Sequence, residues 1–80
     1  MDPTLERRID ERIGRRLRLR RKMLAVKVAD LARGCGISVQ QIHNYELGAS
    51  RIPASRLQHL AEIMETPVAW FFDNGEPRGS

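Results

Sequence analysis

The sequence is poor in metal ligands and in disulfide partners. Its 80 residues contain one cysteine, Cys35, and two histidines, His43 and His59. One thiol cannot close an internal disulfide, and one thiol with two imidazoles is too sparse a supply for a zinc site. The expectation is a protein of a reducing, cytoplasmic compartment that needs neither metal nor cofactor. Long apolar runs are missing too, and none approaches the ~20 residues of a membrane span. The first 21 residues are charged throughout, which excludes a signal peptide there. No stretch alternates with period two for long enough to make a strand. Glycine-rich phosphate loops, a nucleophile elbow and spaced carboxylate pairs are all absent, so an enzyme is not expected. Aromatic residues are few, and three of the four stand together as Trp70-Phe71-Phe72.

What is present is a single small domain's worth of apolar residues, 41% of the chain, with a formal net charge of +4. At this length a core is marginal by itself, and oligomerisation is a common remedy. The charge is uneven. Residues 1–22 carry nine basic and four acidic side chains, a net +5, while the remainder nets −1. Such a basic stripe suits a polyanion, whether DNA, RNA or an anionic membrane surface. A solvated helix face would look the same from charge alone.

Helical spacing is plentiful. Leu5, Ile9, Ile13 and Leu17 step by four, with Leu24 one heptad further, and predict a first helix within residues 4–24. Asp2-Pro3 offers an early start, although residues 1–9 are expected to be a fraying extension. A short second helix fits Val28 to Arg33, with Leu31 and Ala32 inward and Gly34 and Gly36 closing it. The third helix has three concordant start signals. Ser38 is an N-cap, Gln41 stands where a capping box requires it, and Ile37 and Ile42 occupy the staple positions. This helix should run from Val39 to about Leu47, ended by Gly48. A fourth fits Ser55 to Met64, with Leu57, Leu60, Ala61 and Met64 on one face. Thr66-Pro67 reads as cap and first-turn proline of a last short helix through Phe72. Residues 74–80 read as a flexible tail.

If Ile42 and Tyr45 face the core, Gln40, His43, Asn44 and Leu47 face outward, with Val39 at the exposed tip. Gln40 and Asn44 are then i and i+4 on one face. Their amides can donate and accept together, the chemistry that reads adenine in a major groove. An ordinary polar helix face would carry the same residues.

Residues 10–73 resemble the lambdoid phage repressor and Cro type of helix-turn-helix domain, the XRE family. Asp30-Leu31-Ala32-Arg33-Gly34-Cys35-Gly36-Ile37-Ser38 is similar to the family's first helix and turn. Ile42-His43-Asn44-Tyr45-Glu46-Leu47-Gly48 resembles the recognition helix and its Glu-x-Gly ending. Arg51-Ile52-Pro53 resembles the following loop, and Leu60-Ala61 with Pro67-Val68-Ala69-Trp70-Phe71-Phe72 the closing helices. The likeness covers about four-fifths of the chain. It implies a compact, all-α, five-helix lambda-repressor-like fold for residues 10–73.

By this resemblance residues 28–34 cross the phosphate backbone and residues 39–47 lie in the major groove. Val39, Gln40 and Asn44 fall at base-reading positions, with Gln41 and His43 beside them. Phosphate contacts are expected from Ser50 and Arg51 after Gly48 and from the basic first helix, chiefly Arg20. Arg21 and Glu46 match an ion pair that ties the first helix to the recognition helix. There are departures. Many relatives open the second helix with Thr/Ser-Gln, where this chain has Lys27-Val28, so the cap is lost and Lys27 takes over the phosphate role. The loop from Ala49 to Pro53 is about one residue longer than in some relatives. Leu47 stands where some have a polar backbone contact.

Consecutive aromatics cannot share one helix face, so one of Trp70, Phe71 and Phe72 should be exposed in a monomer. The resemblance implies a homodimer through this region, with Val68, Trp70, Phe71 and Phe72 at the interface. Cys35 reads as a small core residue and His59 as surface. The implied function is transcription regulation in the cytoplasm of a bacterial or phage-infected cell, by binding double-stranded DNA at an inverted repeat, with repression ahead of activation. No effector domain is read after the last helix. Three alternatives stay open: an antitoxin with a toxin partner, a protein-interaction module that keeps the fold, and a basic amphipathic peptide at a membrane.

Overall fold

The computed structural model describes residues 3–73. Four α-helices, α1 (Pro3–Met23), α2 (Val28–Cys35), α3 (Val39–Leu47) and α4 (Ala54–Ile63), precede a 3₁₀ turn, Val68–Phe72. The described chain is therefore all-α, but the fifth element is not an α-helix. Trp70 N–H donates to the Pro67 carbonyl at 3.0 Å and Asp73 N–H to the Trp70 carbonyl at 3.3 Å, the i→i+3 pattern of a short, tight segment. Thr66 does not cap it. Pro67 is the cap residue and makes no side-chain bond, while the Thr66 hydroxyl donates to the Met64 carbonyl at 2.8 Å. Asp2 and the expected tail, residues 74–80, lie outside the described residues. No helix among the described residues is long and apolar enough to cross a membrane.

α1 runs unbroken from Pro3, and an ion pair from Glu6 to Arg51 ties its first turns to the loop after α3. Leu24 lies beyond its end and is 40% exposed. The helix stops without glycine. Ala25 adopts the left-handed conformation at φ 57°, and Val26 N–H returns to the Arg21 carbonyl at 2.9 Å. Glu65 does the same after α4 at φ 49°. A stop made by alanine or glutamate costs about 1 kcal/mol and leaves no glycine to read in the sequence.

The core gathers Leu17, Leu31, Ile42, Tyr45, Leu60 and Phe71, all essentially without solvent contact. Leu57, Ala61 and Met64 of the α4 face join them. Cys35 is half-buried at the edge of this core, with its Sγ 3.9 Å from His59 Nδ1. α1 packs across α3 at Gly14, where a Cβ would lie 2.8 Å from the Glu46 carbonyl oxygen and closer still to that of Tyr45. Glycine there lets the two backbones approach, and this contact fixes how α3 is mounted.

Candidate nucleic-acid interface

α3 forms because its start is satisfied locally. Ser38 Oγ accepts a hydrogen bond from Gln41 N–H at 3.0 Å, with Ser38 in extended conformation. Among the described residues the Gln41 side chain makes no return bond, so this is a single cap and not a full box. Ile42 is buried in the core, and Ile37 packs partly buried against that core. Gly48, at φ 75°, closes the helix, with Ala49 N–H returning to the Asn44 carbonyl at 2.9 Å.

The helix is then fixed from behind. Arg21 of α1 reaches Glu46 with two parallel hydrogen bonds, Nε to Oε2 at 2.6 Å and an η-nitrogen to Oε1 at 3.1 Å. A third bond from Arg21 goes to the Val26 carbonyl at 3.1 Å. Fork-to-fork geometry of this kind is directional as well as strong. Because Tyr45 and Ile42 are buried beside Glu46, α3 turns one definite face outward.

That face carries Val39, Gln40, His43 and Leu47, all exposed, with Asn44 and Gln41 half-buried at its edge. Gln40 Nε2 donates to Asn44 Oδ1 at 3.0 Å. Among the described residues the Gln40 carbonyl oxygen and the Asn44 amide hydrogens stay unpaired. The pair thus offers an acceptor and a donor one helical turn apart. Leu47, 72% exposed, is the most exposed large apolar side chain described.

The residues expected at phosphates are less uniform. Lys27 is exposed at the cap of α2 and makes no side-chain cap bond. Ser50 is half-buried, with its N–H directed to the Asn44 carbonyl at the end of α3. Arg51 is exposed but engaged, with one carboxylate partner at Glu6 and another at Asp10, 3.4 Å away. The hydrogen bond to Glu6, and then the charges of both acids, hold its guanidinium further above its ordinary range. Arg20 is engaged away from α3. Its Nε donates to Thr66 Oγ1 at 2.8 Å, and its guanidinium lies 5.6 Å from the centre of the Trp70 ring. It belongs to the contact between α1 and the 3₁₀ turn, because it falls on the other side of α1 from Gly14.

At that turn Phe71 is fully buried and has no surface for a partner, which corrects its place in a dimer interface. Trp70 meets Phe71 edge-on at 5.4 Å, and Arg16 covers its ring at 3.6 Å while donating to its carbonyl. Val68 and the largely exposed Phe72 remain at the surface. They line an open, mainly apolar recess of about 460 Å³ with Ile13, Ile52 and Leu57.

This is a capped, outward-facing helix held against a preceding short helix by a tight turn, and residues 12–69 match a family model described as a helix-turn-helix domain. The chain belongs to the XRE-like helix-turn-helix family. In this helix-turn-helix protein α2 and α3 are the paired helices and Gly36-Ile37-Ser38 the turn. It is 44% identical over 71 residues to a Sinorhizobium medicae protein named an uncharacterized HTH-type transcriptional regulator, covering 89% of this chain and 51% of that one. A Rhizobium meliloti protein of the same description matches to the same extent. An uncharacterized transcriptional regulator in the ATPase CF(0) region of Rhodospirillum rubrum is 42% identical over 73 residues, covering 88% of this chain and 68% of that one. The chain thus spans about half the length of the two rhizobial relatives.

Sequence reasoning passed over Arg18. It lines a shallow cavity of about 310 Å³ with Arg21, His43, Glu46 and Leu47, beside the exposed face of α3. The signal was present. Arg18 is four residues after Gly14 and three before Arg21, so it shares a helical stripe with the two residues that touch α3. Glu6 and Asp10 were likewise read only as charges, although both hold Arg51.

Proposed function

We propose that this helix-turn-helix protein is a sequence-specific DNA-binding transcriptional regulator of the cytoplasm, with α3 as its reader. The single observation that carries the reading is the amide pair Gln40–Asn44 on the open face of a helix anchored from behind by Arg21 and Glu46. Base edges in a major groove are read by side chains that donate and accept in fixed geometry. Val39, Gln40, Gln41, His43 and Asn44 are the candidate readers. Lys27, Ser50 and Arg51 are the candidate phosphate contacts, and Arg51 must exchange its carboxylates for phosphate to serve as one.

The domain acts as a symmetric homodimer, with Val68, Phe72 and the edge of Trp70 covered by a second copy. Two α3 helices would then enter successive major grooves of an inverted repeat about 34 Å apart. Repression by occlusion of polymerase is the simplest output of such a dimer. A second reading, a protein-interaction module, is favoured by one feature only, the bare Leu47 at the C-terminal end of the α3 face.

The test is titration of the isotopically labelled protein with a short DNA duplex, followed by amide chemical shift. Perturbations concentrated on residues 39–51 support the reader. Perturbations confined to residues 3–10 or 68–72 sink it.

A further inference from the structure

We propose that Arg15, Arg18 and Lys22 form a second nucleic-acid contact, a ridge on α1 that grips the phosphate strand flanking the groove entered by α3. The inference rests on the reading of α3 as a DNA reader and adds a site to it.

From Arg15 onward, the structure divides the basic residues of α1 into two sets. Arg16, Arg20 and Arg21 are spent internally, on the Trp70 carbonyl and ring, on Thr66 and on Glu46. Arg15, Arg18 and Lys22 are exposed and, among the described residues, have no hydrogen bond or ion pair. Their spacing of three and four stacks them on one face of the helix. Arg18 fixes where that face lies, because it lines the same cavity as His43 and Leu47 of α3. The ridge therefore runs alongside the reading face. It spans seven residues, about 10 Å of helix axis, longer than the spacing of neighbouring phosphates along a strand.

A solvated face would be expected to alternate its charges, and this one does not. Every charged residue three or four positions from Arg18 is basic: Arg15, Arg21 and Lys22. Like charges at these separations repel and destabilise the free helix. Glu46, the acid at the floor of the cavity, is taken by Arg21. Glu11, one turn before Arg15, is half-buried, with its Cα and Cγ against Gly48. An arrangement that concentrates unneutralised guanidinium beside a DNA-reading helix is matched by a polyanionic strand and by little else in water.

The experiment uses the full chain and two short duplexes, one bearing the sequence that the wild-type protein selects and one of mixed sequence. Affinity is measured by fluorescence anisotropy over a range of salt for wild type, Arg18→Gln and Arg18→Lys. If Arg18 neutralises one phosphate, Arg18→Gln flattens the log–log salt slope by about 0.9 on both duplexes, so the wild-type advantage shrinks about 3.5-fold between roughly 50 and 200 mM salt. Arg18→Lys keeps the wild-type slope. A scan with single methylphosphonates locates the contact: one neutral position weakens wild type and leaves Arg18→Gln unaffected. A wild type that selects a motif, with Arg18→Gln of unchanged slope and unchanged methylphosphonate pattern, overturns the ridge and leaves the reader standing. A wild type that selects no motif, with the slope still lost in Arg18→Gln, overturns the reader and supports the ridge. A chain that binds neither duplex overturns both.

Discussion

Arg21 of α1 and Glu46 of α3 form a two-point ion pair whose side chains are only 11% and 4% exposed. They stand 25 residues apart in sequence, yet they set the angle at which the outward helix is carried. Removing one member strands the other charge out of water. Breaking a buried pair in this way costs roughly 3–5 kcal/mol, whereas replacing both members by apolar groups of similar size is often close to neutral. Glu46→Leu and Arg21→Met are each expected to lose about 3 kcal/mol in urea unfolding, and the double replacement Arg21→Met with Glu46→Leu less than either. A double variant as unstable as the sum of the singles contradicts the pairing.

Gly14 sets the distance between the same two helices. Ala at this position puts a methyl group against the Tyr45 and Glu46 carbonyls, which are backbone and cannot turn away. Overpacking of this kind costs typically 1–3 kcal/mol, and Gly14→Ala is expected near the upper end in thermal unfolding. It should also shift the amide resonances of residues 45–47. A variant of wild-type stability means that α1 and α3 lie further apart than described.

Arg51 is held by carboxylates in the free protein. If it contacts phosphate on DNA, Glu6 and Asp10 compete with the ligand. Glu6→Gln with Asp10→Asn is then expected to tighten binding to duplexes of any sequence several-fold at low salt, with much of the gain lost as salt rises. Equal affinity for the double variant and wild type removes Arg51 from the phosphate contacts.

Asn44 and Arg51 should differ in kind. Asn44→Ala is expected to cost ~1–3 kcal/mol on the preferred sequence and much less on mixed sequence, while Arg51→Ala weakens both alike. Competition binding on the two duplexes separates them. Parallel losses for both variants show that the two residues do not divide reading from anchoring.

Phe72 is 49% exposed at the rim of an apolar recess. If a second copy covers this rim, Phe72→Glu is expected to raise the dissociation constant of that dimer by at least tenfold in sedimentation equilibrium, with the monomer still folded because Phe71, not Phe72, fills the core. An unchanged dimer moves the interface elsewhere.

Much of α3 was legible because its determinants are local. Ser38, Gln41, the Ile37–Ile42 pair and Gly48 lie within eleven residues of one another, and each acts on its immediate neighbours. The ends of α1 and α4 were less so, since Ala25 and Glu65 take a conformation that sequence reading assigns to glycine. The fate of each arginine was the least legible. Arg18 and Arg20 are two residues apart with the same chemistry, yet one lines the cavity beside His43 and the other bonds Thr66. What separates them is the rotation of α1 about its axis relative to α3, which Gly14 and Arg21 fix and which composition does not record. Thr66 was misread for a related reason: a threonine before proline looks like a cap until a distant arginine claims its hydroxyl.

The measurement that tests the central claim most directly is selection of bound duplexes from a random pool at physiological salt, run in parallel with wild type and Asn44→Ala. The account predicts that wild type recovers an inverted repeat with half-sites about one helical turn apart, and that Asn44→Ala relaxes the same position in both half-sites. Recovery of no motif by wild type, or of an identical motif by both proteins, contradicts α3 as the reader.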